Sequence, residues 1–281
     1  MKKIFVNEVG PRDGLQNIDI ILNIDERFQL IQSLERAGIN SLEVGSFVSP
    51  KAVPAMDKTD ALLEKLSTGN SNYSVLIPNT HGYKQAKENK VKEVCLVLCA
   101  TESMNMENIN KNIKDTITEF KEIIKMAKKD QIRTKIYISV AFECPYEGPV
   151  NSQYVYDLTK EFVSYGINEV VIADTIGAGN PNQVQKVFRE LVKDFGSSVF
   201  SAHFHDTRLL ALSNVKAAME EGITKFDSSI AGLGGCPFAP GASGNLATED
   251  LVSMLHKEGY ETGINEKMLR NSAQLAAQLT N

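Results

Sequence analysis

The chain is poor in the residues that usually mark a specialised class of protein. Its four cysteines, Cys95, Cys99, Cys144 and Cys236, form no CxxC pair and no framework spacing, which argues against a disulfide scaffold or a cysteine-rich metal module. Cys95 and Cys99 lie in VCLVLCA and read as small packing residues. There is no basic excess: 30 Lys and Arg stand against 35 Asp and Glu, a net charge of −5. A general nucleic-acid partner needs a basic surface and is therefore not expected. No apolar run reaches the length of a membrane span, so no membrane partner is expected either. The opening MKKIFVNEVG passes straight into a strand-like run and does not read as a signal or transit peptide. These absences together predict a reduced, cytoplasmic protein.

What is present is an ordinary core-forming composition, 42% apolar and 23% charged, arranged in a regular alternation. Short β-rich runs at 3–9, 41–45, 73–77, 93–99, 134–142, 169–174, 199–205 and 225–230 are each followed by an amphipathic stretch. The first of these stretches, 24–37, carries Ile24, Phe28, Ile31, Leu34 and Ala37 at helical spacing. The others are expected near 57–67, 80–89, 107–129, 152–165, 181–194, 207–221 and from about 247. Eight strand–helix units imply parallel strands with crossover helices. At this length they predict an α/β fold, a closed (β/α)8 TIM barrel spanning residues 1–281 as one domain, with one additional C-terminal helix. An open doubly wound sheet is the alternative. The barrel places chemistry at the C-terminal ends of the strands and in the loops that follow them.

Polar residues collect at those ends. The first strand runs into VGPRDGLQ, where Pro11 and Gly14 set a turn that carries Arg12 and Asp13 to the mouth; alone, this pair also reads as a surface ion pair in a tight turn. The seventh strand ends in HFHD, and strand alternation points His203 and His205 the same way. These are two of only four histidines, His81 and His256 lacking any such context. Imidazole is the commonest protein metal ligand, although an isolated HxH often packs or caps. Only the eighth strand separates the seventh from the first in a closed barrel, which brings Asp13 near the histidines. A glycine-rich stretch, IAGLGGCPFAPGASGNLATED, leaves the eighth strand and delivers Asn245 to the same neighbourhood. One carboxylate, one amide oxygen and two imidazoles suit a six-coordinate Mg2+ or Mn2+ better than zinc. Glu43 in SLEVGSF and Asp174 in ADTIG are acids near the ends of otherwise apolar strands. They read either as members of the same pocket or as a buried partner for Arg12 and a loop cap, since buried acids are costly unless paired.

VGPRDGLQN, GSFVSPK, CPYEG, DTIG, HFHDT and GLGGCPFAPGASGNLATEDLV occur in order along nearly the whole chain. Together they resemble the 3-hydroxy-3-methylglutaryl-CoA lyase family, metal-dependent barrel enzymes whose wider superfamily makes or breaks C–C bonds next to a thioester or carboxylate. The resemblance implies that Asp13, His203, His205 and Asn245 hold the metal and that Arg12 stabilises the enolate formed on cleavage. It implies that Glu43 orders the metal-site water and substrate, that Asp174 supports catalysis, and that Cys236 sits on a mobile loop closing over the substrate. The implied substrate is an acyl-CoA thioester, the implied assembly a homodimer and the implied role leucine breakdown. Two departures stand out. Arg208-Leu209-Leu210 follows HDT where the family usually carries Tyr-Gly-Gln, and Glu143 replaces a residue that is more often small.

The expected reaction is a metal-assisted retro-Claisen cleavage to acetyl-CoA and acetoacetate. Asp13 and His203 are the candidate bases and Cys236 the candidate proton carrier to the enolate carbon. A condensing synthase of the same superfamily is the nearest rival; such enzymes are usually longer, with a regulatory C-terminal domain. A non-catalytic metal-binding or scaffold barrel is the rival from another class.

Overall fold

A computed structural model describes residues 2–67, 69, 71–234 and 244–280. Eight parallel strands close into a barrel: β1 (Phe5–Glu8), β2 (Ser41–Ser46), β3 (Asn72–Leu76), β4 (Glu93–Cys99), β5 (Arg133–Ser139), β6 (Glu169–Asp174), β7 (Phe200–Phe204) and β8 (Lys225–Ser228). Neighbours follow chain order, and β1 closes the ring by pairing with β8 on one side and β2 on the other. The strands read as nearly continuous apolar runs because helices cover their outer faces. EVVIAD in β6 is buried throughout.

The helices form where the pattern calls for them, and their ends are written in the sequence. Helix α1 (Ile24–Arg36) begins at an Asn23–Glu26 capping box and buries Leu30, Ile31 and Leu34. Helices α2 (Thr59–Leu66) and α3 (Thr80–Glu88) follow β2 and β3. The helical run predicted over 107–129 is two helices, α4 (Glu102–Ile109) and α5 (Ile113–Asp130). Asn110 takes the left-handed conformation that ends α4, and the side chain of Asn112 caps α5 by accepting from the Asp115 amide. The strand predicted over 134–142 stops at Ser139; Val140 turns to φ 50° and a short antiparallel hairpin pairs Glu143–Cys144 with Gly148–Pro149. Helix α6 (Ser152–Tyr165) follows. Helix α7 (Pro181–Phe195), with Pro181 in its first turn and Asn180 as cap, buries Val184, Val187, Phe188 and Leu191 along one stripe. Helix α8 (Ala211–Glu220) starts later than the predicted 207, because residues 206–210 form a turn with Leu209 at φ 58°. Helix α9 (Thr248–Lys257) completes the eighth unit, and the additional α10 (Glu266–Leu279) packs against α1. No helix among the described residues is long and apolar enough to cross a membrane.

The two ends of the barrel differ in chemistry. At the N-terminal end a cavity of about 510 Å3 is lined by Asn7, Ser41, Lys135, Glu169 and Asp227, among others. Its charges largely pair with one another: Lys135 lies 3.2 Å from Glu169, and Lys225 lies 2.8 Å from the same carboxylate. That end is a paired floor. The candidate site residues lie at the other.

Candidate active site at the barrel mouth

Glu8 closes β1, and its buried carboxylate accepts from the amides of Gly10 and Ile230 and from the Thr248 hydroxyl. Burial pushes it up to about 7, against the pull of those three donors. The acid thereby ties the chain after β1 to both sides of the glycine-rich stretch. From Gly10 to Gly14 the chain makes one tight helical turn, with the amides of Arg12, Asp13 and Gly14 all directed at the Val9 carbonyl. Gly14 is needed there: a Cβ on it would stand 2.8 Å from both Leu233 and Ser229. The turn aims Arg12 and Asp13 into the mouth.

Arg12 is almost fully buried between two acids. Its Nε donates to Glu43 Oε1 and its Nη1 to Asp13 Oδ1 at 2.7 Å. Glu43, on β2, is completely buried and accepts a second bond from the Tyr137 hydroxyl of β5 at 2.9 Å. Burial by itself would favour loss of the Arg12 proton; Glu43 and Asp13 more than offset it and hold the guanidinium above its ordinary value. Desolvation likewise raises Asp13, but Arg12 and then the two histidines keep its carboxyl well below the usual range. Asp13 is an anion at neutral pH.

The histidines come from β7. His203 is its fourth residue and His205 follows its end, with ring centroids 5.2 Å apart. Ligand atoms of Asp13, His203 and His205 lie within 4.8 Å of one another. Burial, and then His203, lowers His205 to about 4, so its imidazole is neutral and carries a free lone pair at pH 7. Asn245 reaches the cluster by backbone pairing. It bridges His205, while the Asp206 amide bonds Gly244 and the Leu246 amide bonds Phe204. Its Nδ2 donates to Asp13 at 2.8 Å and to the Leu233 carbonyl at 3.0 Å. Gly234 makes this approach feasible, since a Cβ at its φ of 103° would stand 2.7 Å from that nitrogen. Asn245 Oδ1 and His205 Nδ1 are buried with no hydrogen-bond partner among the described residues. Buried polar atoms are almost always satisfied. Unused nitrogen and oxygen donors beside an anionic carboxylate fit a divalent cation.

Asp174 ends β6, next to β7, but its carboxylate turns to its own loop. It accepts from the amides of Ala178 and Gly179, both at 3.0 Å, and burial pushes it up to about 6. Cys236 lies outside the described residues. The two departures from the family pattern meet: Arg208 donates to Glu143 at 3.1 Å and to the Ala178 carbonyl at 3.0 Å, tying together the loops after β5, β6 and β7. Sequence reasoning missed Asp227, Tyr137 and Glu8. Asp227 sits on β8 in register with His203, and Tyr137 presents a T-shaped contact to the His203 ring at 6.1 Å. The only local signal for Asp227 is an acid inside the strand KFDSSI.

Hydroxymethylglutaryl-CoA lyase of Bacillus subtilis is 40% identical over 274 residues, 97% of this chain and 92% of that protein. The HMG-CoA lyase of Brucella melitensis superposes with a TM-score of 0.97 at 36% identity, covering 100% of this chain and 99% of that one. An HMG-CoA lyase of Acinetobacter baumannii, solved in complex with coenzyme A and 3-methylmalate, gives a TM-score of 0.94 at 35% identity over 99% of this chain and 91% of its own. The family model described as HMGL-like matches residues 3–276, so nearly the entire barrel, from β1 into α10, belongs to the HMGL-like family.

Proposed function

We propose that this protein cleaves 3-hydroxy-3-methylglutaryl-CoA to acetyl-CoA and acetoacetate, using a divalent cation, Mg2+ or Mn2+, held by Asp13, His203, His205 and Asn245. The observation that carries the reading is the meeting of Asp13, His203 and His205 within 4.8 Å beside a buried arginine. When bound, such an ion lowers the pKa of a hydroxyl it contacts. The chain's own groups supply the rest. Asp13 takes the proton of the tertiary C3 hydroxyl, and the C2–C3 bond then breaks, its electron pair passing to the thioester as an enolate. Arg12, fixed by Glu43 and Asp13 before substrate arrives, faces the charge as it develops; a preorganised donor of this kind contributes about 3–4 kcal/mol. Glu43 acts through Arg12, and Asp174 by shaping the loop after β6. Cys236 returns a proton to the enolate carbon. In the cell the protein works as a cytoplasmic homodimer in leucine breakdown.

Incubation with the hydroxymethylglutaryl thioester and Mg2+ or Mn2+ should release acetoacetate and acetyl-CoA, and exhaustive chelation should abolish the release. Intact thioester after prolonged incubation with metal would refute the proposal.

A further inference from the structure

Two unpartnered buried atoms face each other behind the metal cluster. Among the described residues His203 Nδ1 and Asp227 Oδ2 each lack a hydrogen-bond partner, and they lie 3.4 Å apart. The contact follows from the sheet: Asp227 of β8 is the register partner of His203 of β7, and residues level on adjacent parallel strands project to the same face. The next residue in the row, Asn7 of β1, is in turn the register partner of Asp227. Its Nδ2 donates to Asp227 Oδ1 at 2.9 Å, and its own Oδ1 accepts from the Ser41 hydroxyl at 2.8 Å. Ser41 and Asn7 therefore fix the Asp227 carboxylate with one oxygen committed and the other turned to the imidazole. Tyr137 confines the ring by an edge contact.

We propose that Asp227 is a positioning residue for His203: it accepts the Nδ1 proton of the imidazole, sets the tautomer, and leaves the Nε2 lone pair for the cluster with Asp13 and His205. The hydrogen bond made by one imidazole nitrogen decides which nitrogen is free to ligate, and a carboxylate behind a ligating histidine fixes its ring and raises its basicity. A shift of about half an ångström brings the pair to ordinary hydrogen-bond length. Among the described residues no carboxylate hydrogen-bonds His205 Nδ1, so the two histidines are not equivalent: His203 is held from behind, and His205 by the backbone pairing that leads to Asn245.

The proposal rests on the metal reading above, and two measurements separate their failures. The first is the tautomer of His203 by 15N-resolved NMR of the metal-free protein, at an alkaline pH where the imidazoles are neutral. Protonation at Nδ1 is expected; protonation at Nε2 overturns the proposal whether or not a metal binds, and needs no variant to fold. The second is Mn2+ affinity by calorimetry for the wild type, Asp227→Asn and His205→Ala. Asparagine has one acceptor oxygen for two donors, Asn7 Nδ2 and His203 Nδ1, and lacks the charge, so Mn2+ binding should weaken about 10–100-fold. A stabilising residue with no link to the metal would lower Tm and leave Mn2+ affinity alone. Asp227→Asn binding Mn2+ as tightly as the wild type, while His205→Ala does not, overturns the proposal and leaves the metal reading standing. A wild-type protein that binds no Mn2+ overturns the metal reading, and the tautomer then decides the remainder.

Discussion

Arg12→Gln perturbs stability and chemistry at once, and the geometry lets the two be separated. The glutamine retains polarity but no cation, so Glu43 is left as a completely buried carboxylate with one remaining donor, the Tyr137 hydroxyl at 2.9 Å. Removing one partner of a buried ion pair costs about 3–5 kcal/mol, because the other charge is stranded. In a chain of 281 residues that corresponds to a Tm lower by roughly 5–8 °C. Glu43→Gln added to Arg12→Gln removes the stranded charge at nearly constant volume, and the double variant should recover at least ~1 kcal/mol over Arg12→Gln, the scale of coupling between residues in contact. Activity should not recover. The enolate loses its stabilising cation in both proteins, and kcat should fall at least about 10²-fold in each, with a smaller effect on KM. Thermal unfolding of the wild type, both single variants and the double variant, with steady-state turnover of each, completes the cycle. A double variant no more stable than Arg12→Gln refutes the account of the buried pair. An Arg12→Gln enzyme that keeps kcat and loses only KM makes Arg12 an anchor for a carboxylate or for CoA, and the enolate then needs another stabiliser.

Three further outcomes follow from the same geometry. His205→Ala should abolish turnover and Mn2+ binding while circular dichroism and Tm stay close to the wild type, since the residue sits at the mouth and not in the packed core; full activity in the chelated variant would refute this. Cys95, Cys99 and Cys144 are buried, and burial raises Cys95 and pushes Cys99 up to about 12, so thiol alkylation at neutral pH should label Cys236 alone, inactivate the enzyme and be slowed by substrate; inactivation unchanged in Cys236→Ser would refute the assignment. Glu8 rises from 4.5 to about 7 on folding, so between those values the native state holds the extra proton and stability should fall as pH rises, by roughly 3 kcal/mol in all; in Glu8→Gln the fall should shrink by that amount, and an unchanged slope in urea unfolding would place the titration elsewhere.

What the sequence made legible, and what it hid, divides by the distance over which the information is stored. The alternation of strands and helices is local, and so are the turn carrying Arg12 and Asp13 and the i, i+2 spacing of His203 and His205; each could be read from a few adjacent residues. The split of α4 from α5 is local as well, but it depends on a left-handed Asn110 and a capping Asn112 inside a run whose helical spacing continues on both sides. Asp227 is different in kind. Nothing within KFDSSI says that its carboxylate faces a histidine 24 residues earlier; that follows only from the register of β8 on β7, which is set when the barrel closes. Arg208 and Glu143, 65 residues apart, stand in the sequence as two unrelated departures and in space as one ion pair. Glu43 and Asp174 show the same limit from the other side. Their composition allowed a pocket member or a structural partner for each, and only the folded chain turns Glu43 to Arg12 and Asp174 to the amides of Ala178 and Gly179. The site therefore has two layers: groups that face the mouth, written in short motifs, and groups behind them, written in the closure of the barrel. A first-layer variant at His205 should change chemistry with little change in Tm, whereas one in the second layer, at Glu43, Asp227 or Glu8, or at Arg12, which pairs with Glu43 across the two, should move both.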